Sequence, residues 1–303
     1  MNVVPNPDEL NLQGTIISIG NFDGVHLGHQ MLLSHMQMLS GELDAPSVVL
    51  TFFPPSRVLF QNGKFLSSEA EKVDLLASFE PSAVVMVPFT REYTQTPKEV
   101  FIAQLERLSP KVIIVGEDFR FGFKREGTLN DLSHVSERLE VFNLKHAGDA
   151  PISSSRIREL LKQGDVEAVK PLLGRSYAAA GEIIEGERRG RTIGFPTANL
   201  DTDPAKALPL GVFAVTVDTP QGRYEGMANV GPRPSFPEEP PSLEVHLFDF
   251  SADLYGETLT IHFEHFLRAQ RKFSGLDEVK AQLAEDERGA RAVLDVSDSH
   301  PSR

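Results

Sequence analysis

Gly20-Asn21-Phe22-Asp23-Gly24-Val25-His26-Leu27-Gly28-His29 is the stretch on which the reading of this chain turns. An apolar run over 15–19 precedes it, and Leu32, Leu33, Met36 and Leu39 follow at helical spacing. The order is strand, glycine-bearing turn, helix N-terminus. That order aims unpaired first-turn amides and the positive end of the helix dipole at one point, a place for phosphate. His26 and His29 are three residues apart and share one face of the first turn. Gly28 between them carries no side chain, so a nucleotide can approach the backbone. Two imidazoles beside a phosphate cradle can donate hydrogen bonds to a triphosphate while charge shifts along it, which reads as nucleotidyl transfer. A zinc site would need further ligands, but the chain has no Cys and no third His at a familiar spacing.

Outward from that stretch, residues 15–141 alternate apolar strands with helical segments, the pattern of a parallel sheet covered on both faces. The expected strands are 15–19, 47–52, 83–88, 111–116 and 139–143, with helices over 69–79 and 97–108. Val84-Val85-Met86-Val87 and Val112-Ile113-Ile114-Val115 are continuous apolar runs, as buried parallel strands require. Ligands in such sheets gather at the carboxyl ends of the strands. Beyond the fourth strand, Gly116-Glu117-Asp118-Phe119-Arg120-Phe121-Gly122 mixes aromatics, charges and glycine. Two readings stand for it: a loop that stacks a ring and holds phosphate, or solvated surface. Beyond the fifth strand, Ile152-Ser153-Ser154-Ser155-Arg156-Ile157-Arg158 runs into a helix. An N-cap explains one serine. Three serines followed by two arginines suit a polyphosphate that sheds pyrophosphate.

From Gly174 the texture changes to short extended segments broken by Gly, Pro and Asn, which predicts an antiparallel barrel. Residues 159–173 read as a helical connector interrupted at Gly164-Asp165, and 276–294 as a terminal helix. The expected domains are 1–174 and 175–303. Three segments of the second half carry candidate chemistry. Residues 186–200 read GERRGRTIGFPTANL, either a flexible hairpin or a loop of amides and guanidinium groups converging on phosphate. Within it, oxygens two residues apart in a strand project to one face and can hold a hard cation. The second segment is NVGPRPSF over 229–236, in which Arg233 and Phe236 could frame a flat heterocycle. In the third, strict alternation over 242–250 sets Leu243, Val245 and Leu247 against Glu244, His246 and Phe248. From the residues alone, Glu244 reads as a solvent-facing strand position.

With 303 residues the chain is long enough for two ordinary domains. Its net charge of −13 argues against nucleic-acid and anionic-membrane partners. The absence of Cys fits a reducing compartment. No apolar run approaches membrane-spanning length and the N-terminus lacks a basic-then-apolar leader pattern, so the expectation is a cytoplasmic protein that uses no membrane. Monomer and homo-oligomer both stay open.

GNFDGVHLGH resembles the first motif of bacterial bifunctional riboflavin kinase/FMN adenylyltransferases, also called bifunctional FAD synthetases. VGEDFRFG and ISSSRIR resemble two further segments of their adenylyltransferase half. GRTIGFPTANL, NVGPRPSF, LEVHLFDF and DLYG resemble the riboflavin kinase module, in order and at comparable spacing. The resemblance implies a Rossmann-like HxGH nucleotidyltransferase domain, then a Greek-key-type antiparallel β-barrel kinase domain with a C-terminal helix. It implies that ATP phosphorylates riboflavin to FMN and adenylylates FMN to FAD with release of pyrophosphate. The alternative is a non-catalytic or kinase-only flavin-binding protein with an impaired adenylyltransferase domain.

The resemblance also implies roles. His26, His29 and Glu244 would be catalytic, Glu244 as the base on the ribityl 5′-hydroxyl. Gly20, Phe22, Asp23, Gly24, Gly28, Asp118, Phe119, Arg120, Ser154, Ser155 and Arg158 would bind nucleotide and flavin in the first half. Gly186, Arg189, Gly190, Arg191, Gly194, Arg233 and Arg268 would do so in the second, and Thr197 and Asn199 would hold Mg²⁺. Two positions depart from the pattern. Asp118 stands where some relatives carry Asn. The family's TFxPHP is TFFPPS here, with Pro55 in place of a His that lies near the triphosphate in relatives.

Overall fold

A computed structural model of the chain describes residues 1–61, 63–143, 146–147, 150–185, 194–232 and 241–298. They fall into two compact units, Met1–Ser154 and Ser155–Arg303.

The first unit is built on strands β1 (Asn2–Val4), β2 (Ile16–Ile19), β3 (Ser47–Phe53), β4 (Ala83–Pro88), β5 (Val112–Gly116) and β6 (Arg138–Phe142). All pair in parallel, in the order β1-β4-β3-β2-β5-β6. Between them run α1 (Leu27–Leu43), α2 (Ser56–Gln61), α3 (Glu69–Ala77), α4 (Lys98–Glu106) and α5 (Leu129–Leu132). Strand alternation sorts the apolar residues into two cores. Ile17, Val48, Leu50, Val85 and Ile113 pack with Phe101 and Leu105 of α4. Ile16, Val49, Val84, Val112 and Ile114 pack with Leu33, Met36 and Leu39 of α1 and Leu76 of α3. Because both faces are covered, the central strands are apolar at nearly every position.

Several details differ from the expectation, α2 and α5 among them, which were not foreseen. The first long strand begins at Ile16, because Thr15 donates its hydroxyl to the Leu108 carbonyl (3.0 Å) and its own carbonyl accepts from the Lys111 amide (2.8 Å). β1 was not foreseen, since three residues at a sheet edge are too short to show a period. The chain leaves β2 for β3 on one side and returns as β5 on the other. The carboxyl ends of β2 and β5 therefore flank a topological switch point, where open α/β sheets bind ligands. The Gly20–His29 stretch starts there.

After a short hairpin, β7 (His146–Ala147) and β8 (Ala150–Pro151), come α6 (Ser154–Lys162) and α7 (Val166–Leu173). Gly164 breaks the connector as expected. Its φ is +76°, and a Cβ there would lie 2.8 Å from the Leu210 carbonyl oxygen. Asp165 then caps α7 by accepting from the Ala168 amide at 3.0 Å. α7 packs against β9 (Tyr177–Ile184) and the last strand of the barrel. The other strands are β10 (Ala198–Asp201), β11 (Gly211–Thr219), β12 (Gly222–Gly231), β13 (Ser242–Leu247) and β14 (Thr258–Arg268), followed by α8 (Leu276–Asp298). They close in the order β9-β10-β13-β12-β11-β14. Within it, β11, β12 and β13 are consecutive neighbours and β14 returns beside β11, a Greek key. Leu243, Val245 and Leu247 are buried while Ser242, Glu244 and His246 are half-buried. The face that bears Glu244 is partly roofed, because Ala290 and Leu294 of α8 pack on Ala214, Met227, Phe195 and Phe248. Phe248 itself falls in the turn after β13 and is buried there. No helix among the described residues is long and apolar enough to cross a membrane.

Candidate active sites

In the first unit the turn after β2 is held in an unusual backbone shape. Phe22 (φ +43°), Gly24 (φ +80°) and Val25 (φ +39°) are all left-handed, and the Val25 amide donates to the Phe22 carbonyl at 3.3 Å. Such a turn persists only if its surroundings over-determine it. Phe22 and Val25 are buried in the α1-side core. The buried Asp23 carboxylate accepts from the Leu66 amide (2.7 Å) and the Ser67 amide (3.3 Å), while the Gly24 amide donates to the Ser67 hydroxyl at 3.0 Å. Gly24 is obligatory, since a Cβ would sit 2.7 Å from Leu66 Cδ1. Asp23, expected as a ligand-binding residue, thus has a clear task in shaping the turn.

The turn delivers His26 as the N-cap of α1. Its Nδ1 accepts from the His29 amide at 3.3 Å, so that nitrogen carries no proton. The His26 and His29 rings stack at 3.6 Å between centroids, 13° from parallel, and the Phe22 ring packs edge-on to His29 at 5.2 Å. Burial, then the neighbouring His26 and Lys72, hold the His29 pKa well below the ordinary histidine value. His29 is therefore neutral at pH 7 and can donate a hydrogen bond from one nitrogen. Its Nδ1 is buried with no hydrogen-bond partner among the described residues. Gly20 precedes this pair, Gly28 lies between its two members, and both are half-exposed.

Ser154 donates its hydroxyl to the Asp23 carbonyl at 2.9 Å, which joins the serine segment to the turn. Ser155 is exposed, whereas Arg158 is buried on the inner face of α6 with Ile157 and Leu161. In the loop after β5, Asp118 and Arg120 are exposed and Phe119 is half-buried. Phe121 is the anchor: its backbone pairs with Gly127, and its ring lies 4.9 Å from that of Phe101 and 5.9 Å from that of Phe119. Pro55 is buried just ahead of α2, where its carbonyl accepts from the Val58 amide at 2.9 Å.

In the second unit, strand register does the positioning. Asn199 of β10 stands directly opposite Glu244 of β13, and Glu244 directly opposite Asn229 of β12. These three half-buried side chains form a row across neighbouring strands on one face. Asn229 accepts from Gln270 Nε2 at 2.8 Å. Thr197 is exposed just ahead of β10. The segment is fixed by His246, whose Nδ1 donates to the Pro196 carbonyl at 2.7 Å while its ring meets Phe195 edge-on. Arg268 makes a bidentate pair with Asp286 of α8, from Nε at 2.9 Å and 3.1 Å and from Nη2 at 2.7 Å. Asp286 is 5% exposed and also accepts from Gln282 at 2.8 Å. Gly194 is exposed, with φ +90°. Gly186, Arg189, Gly190, Arg191 and Arg233 lie outside the described residues.

The Asn199–Glu244–Asn229 row fits a hard cation in its donor chemistry, offering amide and carboxylate oxygens only. No group of three or more His, Cys, Asp or Glu capable of holding a metal occurs among the described residues.

Three residues of these sites were missed in the sequence. Lys72 is buried beside the histidine turn, Asn229 completes the barrel row, and Asp286 holds Arg268. Lys72 did leave a signal: it lies four residues before the buried Leu76, on the apolar side of an amphipathic helix.

The FAD synthetase family matches residues 8–159 and the riboflavin kinase family residues 173–294. A bifunctional riboflavin kinase/FMN adenylyltransferase of Haemophilus influenzae is 38% identical, over 93% of this chain and 95% of its own. The enzyme of that description from Escherichia coli K12 is 35% identical, over 95% of each chain. The Bacillus subtilis one is 34% identical over 91% of each. A crystal structure described as a macrolide-efflux protein from Streptococcus pneumoniae superposes with a TM-score of 0.85 at 28% identity, covering 95% of this chain and 98% of that one. The chain belongs to the bifunctional riboflavin kinase/FMN adenylyltransferase family.

Proposed function

We propose that the two ATP-dependent reactions of this family are divided between the histidine turn and the barrel row. The observation that carries the division is the pairing of each family match with its own constellation: 8–159 with His26 and His29, 173–294 with Asn199 and Glu244. The functional boundary is placed at 174/175, beside the start of the riboflavin kinase match at 173.

In the barrel, the Glu244 carboxylate accepts the proton of the ribityl 5′-hydroxyl. The freed oxygen attacks the γ-phosphorus of ATP, and ADP leaves with FMN formed. Thr197 and Asn199 would hold Mg²⁺, which when bound offsets phosphate charge. Asn229, fixed by Gln270, keeps Glu244 in a polar row. Gly186, Arg189, Gly190, Arg191 and Gly194 are assigned to the ATP phosphates, and Arg233 and Arg268 to the flavin side, by their match to the family motifs.

In the first unit an FMN phosphate oxygen attacks the α-phosphorus of ATP, the bond to the β-phosphate breaks, and pyrophosphate leaves with FAD formed. No covalent enzyme intermediate is needed. His26 and His29 donate hydrogen bonds to the phosphates, acting by position and electrostatics. By their match to the family motifs alone, Gly20, Phe22, Asp23, Gly24 and Gly28 are assigned to nucleotide and flavin binding, and Ser154, Ser155 and Arg158 to the ATP phosphates. Asp118, Phe119 and Arg120 are assigned to the flavin and nucleotide. The substrates are riboflavin, FMN and ATP. The absence of Cys fits a cytoplasmic location.

The test is incubation of the purified chain with riboflavin, ATP and Mg²⁺, with flavins separated by chromatography. FAD formation is the expected result. FMN as the sole product would remove the adenylyltransferase assignment, and unchanged riboflavin would remove both.

A further inference from the structure

A lysine with no exposed surface stands next to the histidine turn, and no reading of the motifs accounts for it. Lys72 of α3 is 0% exposed. Its ammonium donates to the Asn21 carbonyl at 2.9 Å and to the Phe52 carbonyl at 2.9 Å, and lies 5.4 Å from the centre of the Phe53 ring. Asn21 begins the left-handed turn and Phe52 lies near the carboxyl end of β3, so the ammonium ties two adjacent strand ends together. Thr51 adds its hydroxyl to the Asn21 carbonyl at 3.1 Å. Burying an ammonium is costly even when it donates to carbonyls, because no neutral group has to be stripped of water to the same degree. The charge has a neighbour that feels it, namely His29.

We propose that Lys72 is a positioning residue for adenylyl transfer: its ammonium, locked on the Asn21 and Phe52 carbonyls, fixes the turn that carries His26 and His29 and supplies a positive charge at the switch point at neutral pH. The site takes a triphosphate and a phosphate monoester together. A fixed cation that needs no reorganisation is what such a polyanionic transition state rewards. Burial first, then His26 and this charge, keep His29 neutral, so His29 serves as a neutral donor rather than as a second cation.

The charged and titratable groups facing Lys72 are Asp23 from the turn, Glu69 from its own helix and His29 from α1, with His26 stacked on the last. Burial lowers the Lys72 pKa from 10.5 to about 8, although Asp23 and Glu69 pull it back up. The sign is then fixed. Between about 8 and 10.5 the unfolded chain holds the extra proton, so this group makes the fold more stable as pH rises. The role proposed needs the charged form, so adenylyl transfer falls over the same interval. A purely structural lysine would not set activity and stability moving in opposite directions.

The experiment measures FMN adenylylation and riboflavin phosphorylation on one preparation from pH 6.5 to 10, as a ratio, so that effects on ATP and Mg²⁺ cancel. The ratio should decline through about pH 8 in the native chain. Lys72→Met should lower adenylylation about 10- to 100-fold at pH 7 and leave riboflavin phosphorylation unchanged, with a modest fall in the unfolding temperature because the Asn21 and Phe52 carbonyls lose a donor. Lys72→Arg, which stays charged, should keep part of the activity and lose the alkaline decline. A flat native ratio, or full adenylylation in Lys72→Met, overturns the proposal. If Lys72→Met loses both activities through misfolding, the native pH ratio decides alone.

Discussion

The two sites are positioned by opposite means. At the histidine turn the backbone is bent into three left-handed residues and held there by buried groups from distant segments: Asp23 on the 66–67 amides, Lys72 on two strand-end carbonyls. In the barrel no such contortion is needed. Asn199, Glu244 and Asn229 are brought abreast by antiparallel register alone. The first arrangement stores strain and is specified by packing. The second is specified by pairing, because a one-residue slip of β13 would send Glu244 to the buried face. A point change in the turn should therefore injure structure and chemistry together, whereas one in the row should injure chemistry alone.

The largest test of that contrast is Glu244→Gln. The amide keeps the shape and the pairing of β13 but cannot accept the substrate proton. Riboflavin phosphorylation should drop by about 10²- to 10⁴-fold. Unfolding temperature and adenylylation of supplied FMN should not change. A lowered unfolding temperature would mean that the row is a structural network, and the contrast would break.

His29→Ala is the matching change in the turn. It removes one donor to the phosphates and the ring on which His26 stacks. FAD formation from FMN should fall by about 10²- to 10³-fold with FMN formation intact. Equal loss of both products would sink the division of labour. Because His29 is already neutral at pH 7, the pH profile of adenylylation around neutrality should keep its shape in His29→Ala.

How the two sites are built explains why they were unequally legible. Alternation over 242–247 placed Glu244 on the face opposite Leu243 and Val245, and the strand formed with that alternation. Register between β10, β12 and β13 is long-range, so the membership of Asn229 in the row was invisible. In the first unit, Gly20 to His29 announced a strand, a turn and a helix, and these formed as β2, the turn and α1. What the sequence did not disclose is how the turn is held. Leu66, Ser67 and Lys72 lie more than 40 residues away along the chain and carry no motif. Lysine on a helix normally means solvent, and only the tertiary fold reverses that. The six-strand order, with its switch point between β2 and β5, likewise follows from crossovers that periodicity does not encode.

Gly24→Ala sharpens the structural side of the contrast. The new methyl group would face both a φ of +80° and Leu66 Cδ1 at 2.7 Å. A cost of roughly 2 kcal/mol follows, enough to lower the unfolding temperature of the first unit by about 4–8 °C. Adenylylation should fall with it, while riboflavin phosphorylation on the second unit continues. If the melting of the first unit were unaffected, the turn would be softer than its hydrogen bonds to Asp23 and Ser67 indicate.

The smallest effect is expected at Pro55, where the family commonly has a His near the triphosphate. Pro55 is buried, but its carbonyl, which accepts from the Val58 amide, would survive substitution. Pro55→His would return a hydrogen-bond donor to that position, and an added charge-assisted bond should raise kcat/KM for FMN adenylylation by about 3- to 10-fold. A fall instead would show that this chain has come to depend on proline packing ahead of α2. Its donors would then be concentrated on the His26–His29 pair and the cation beside it. In that case Pro55→His and Lys72→Met should together lose more than the two separate effects multiply to, since both would act on one phosphate cradle.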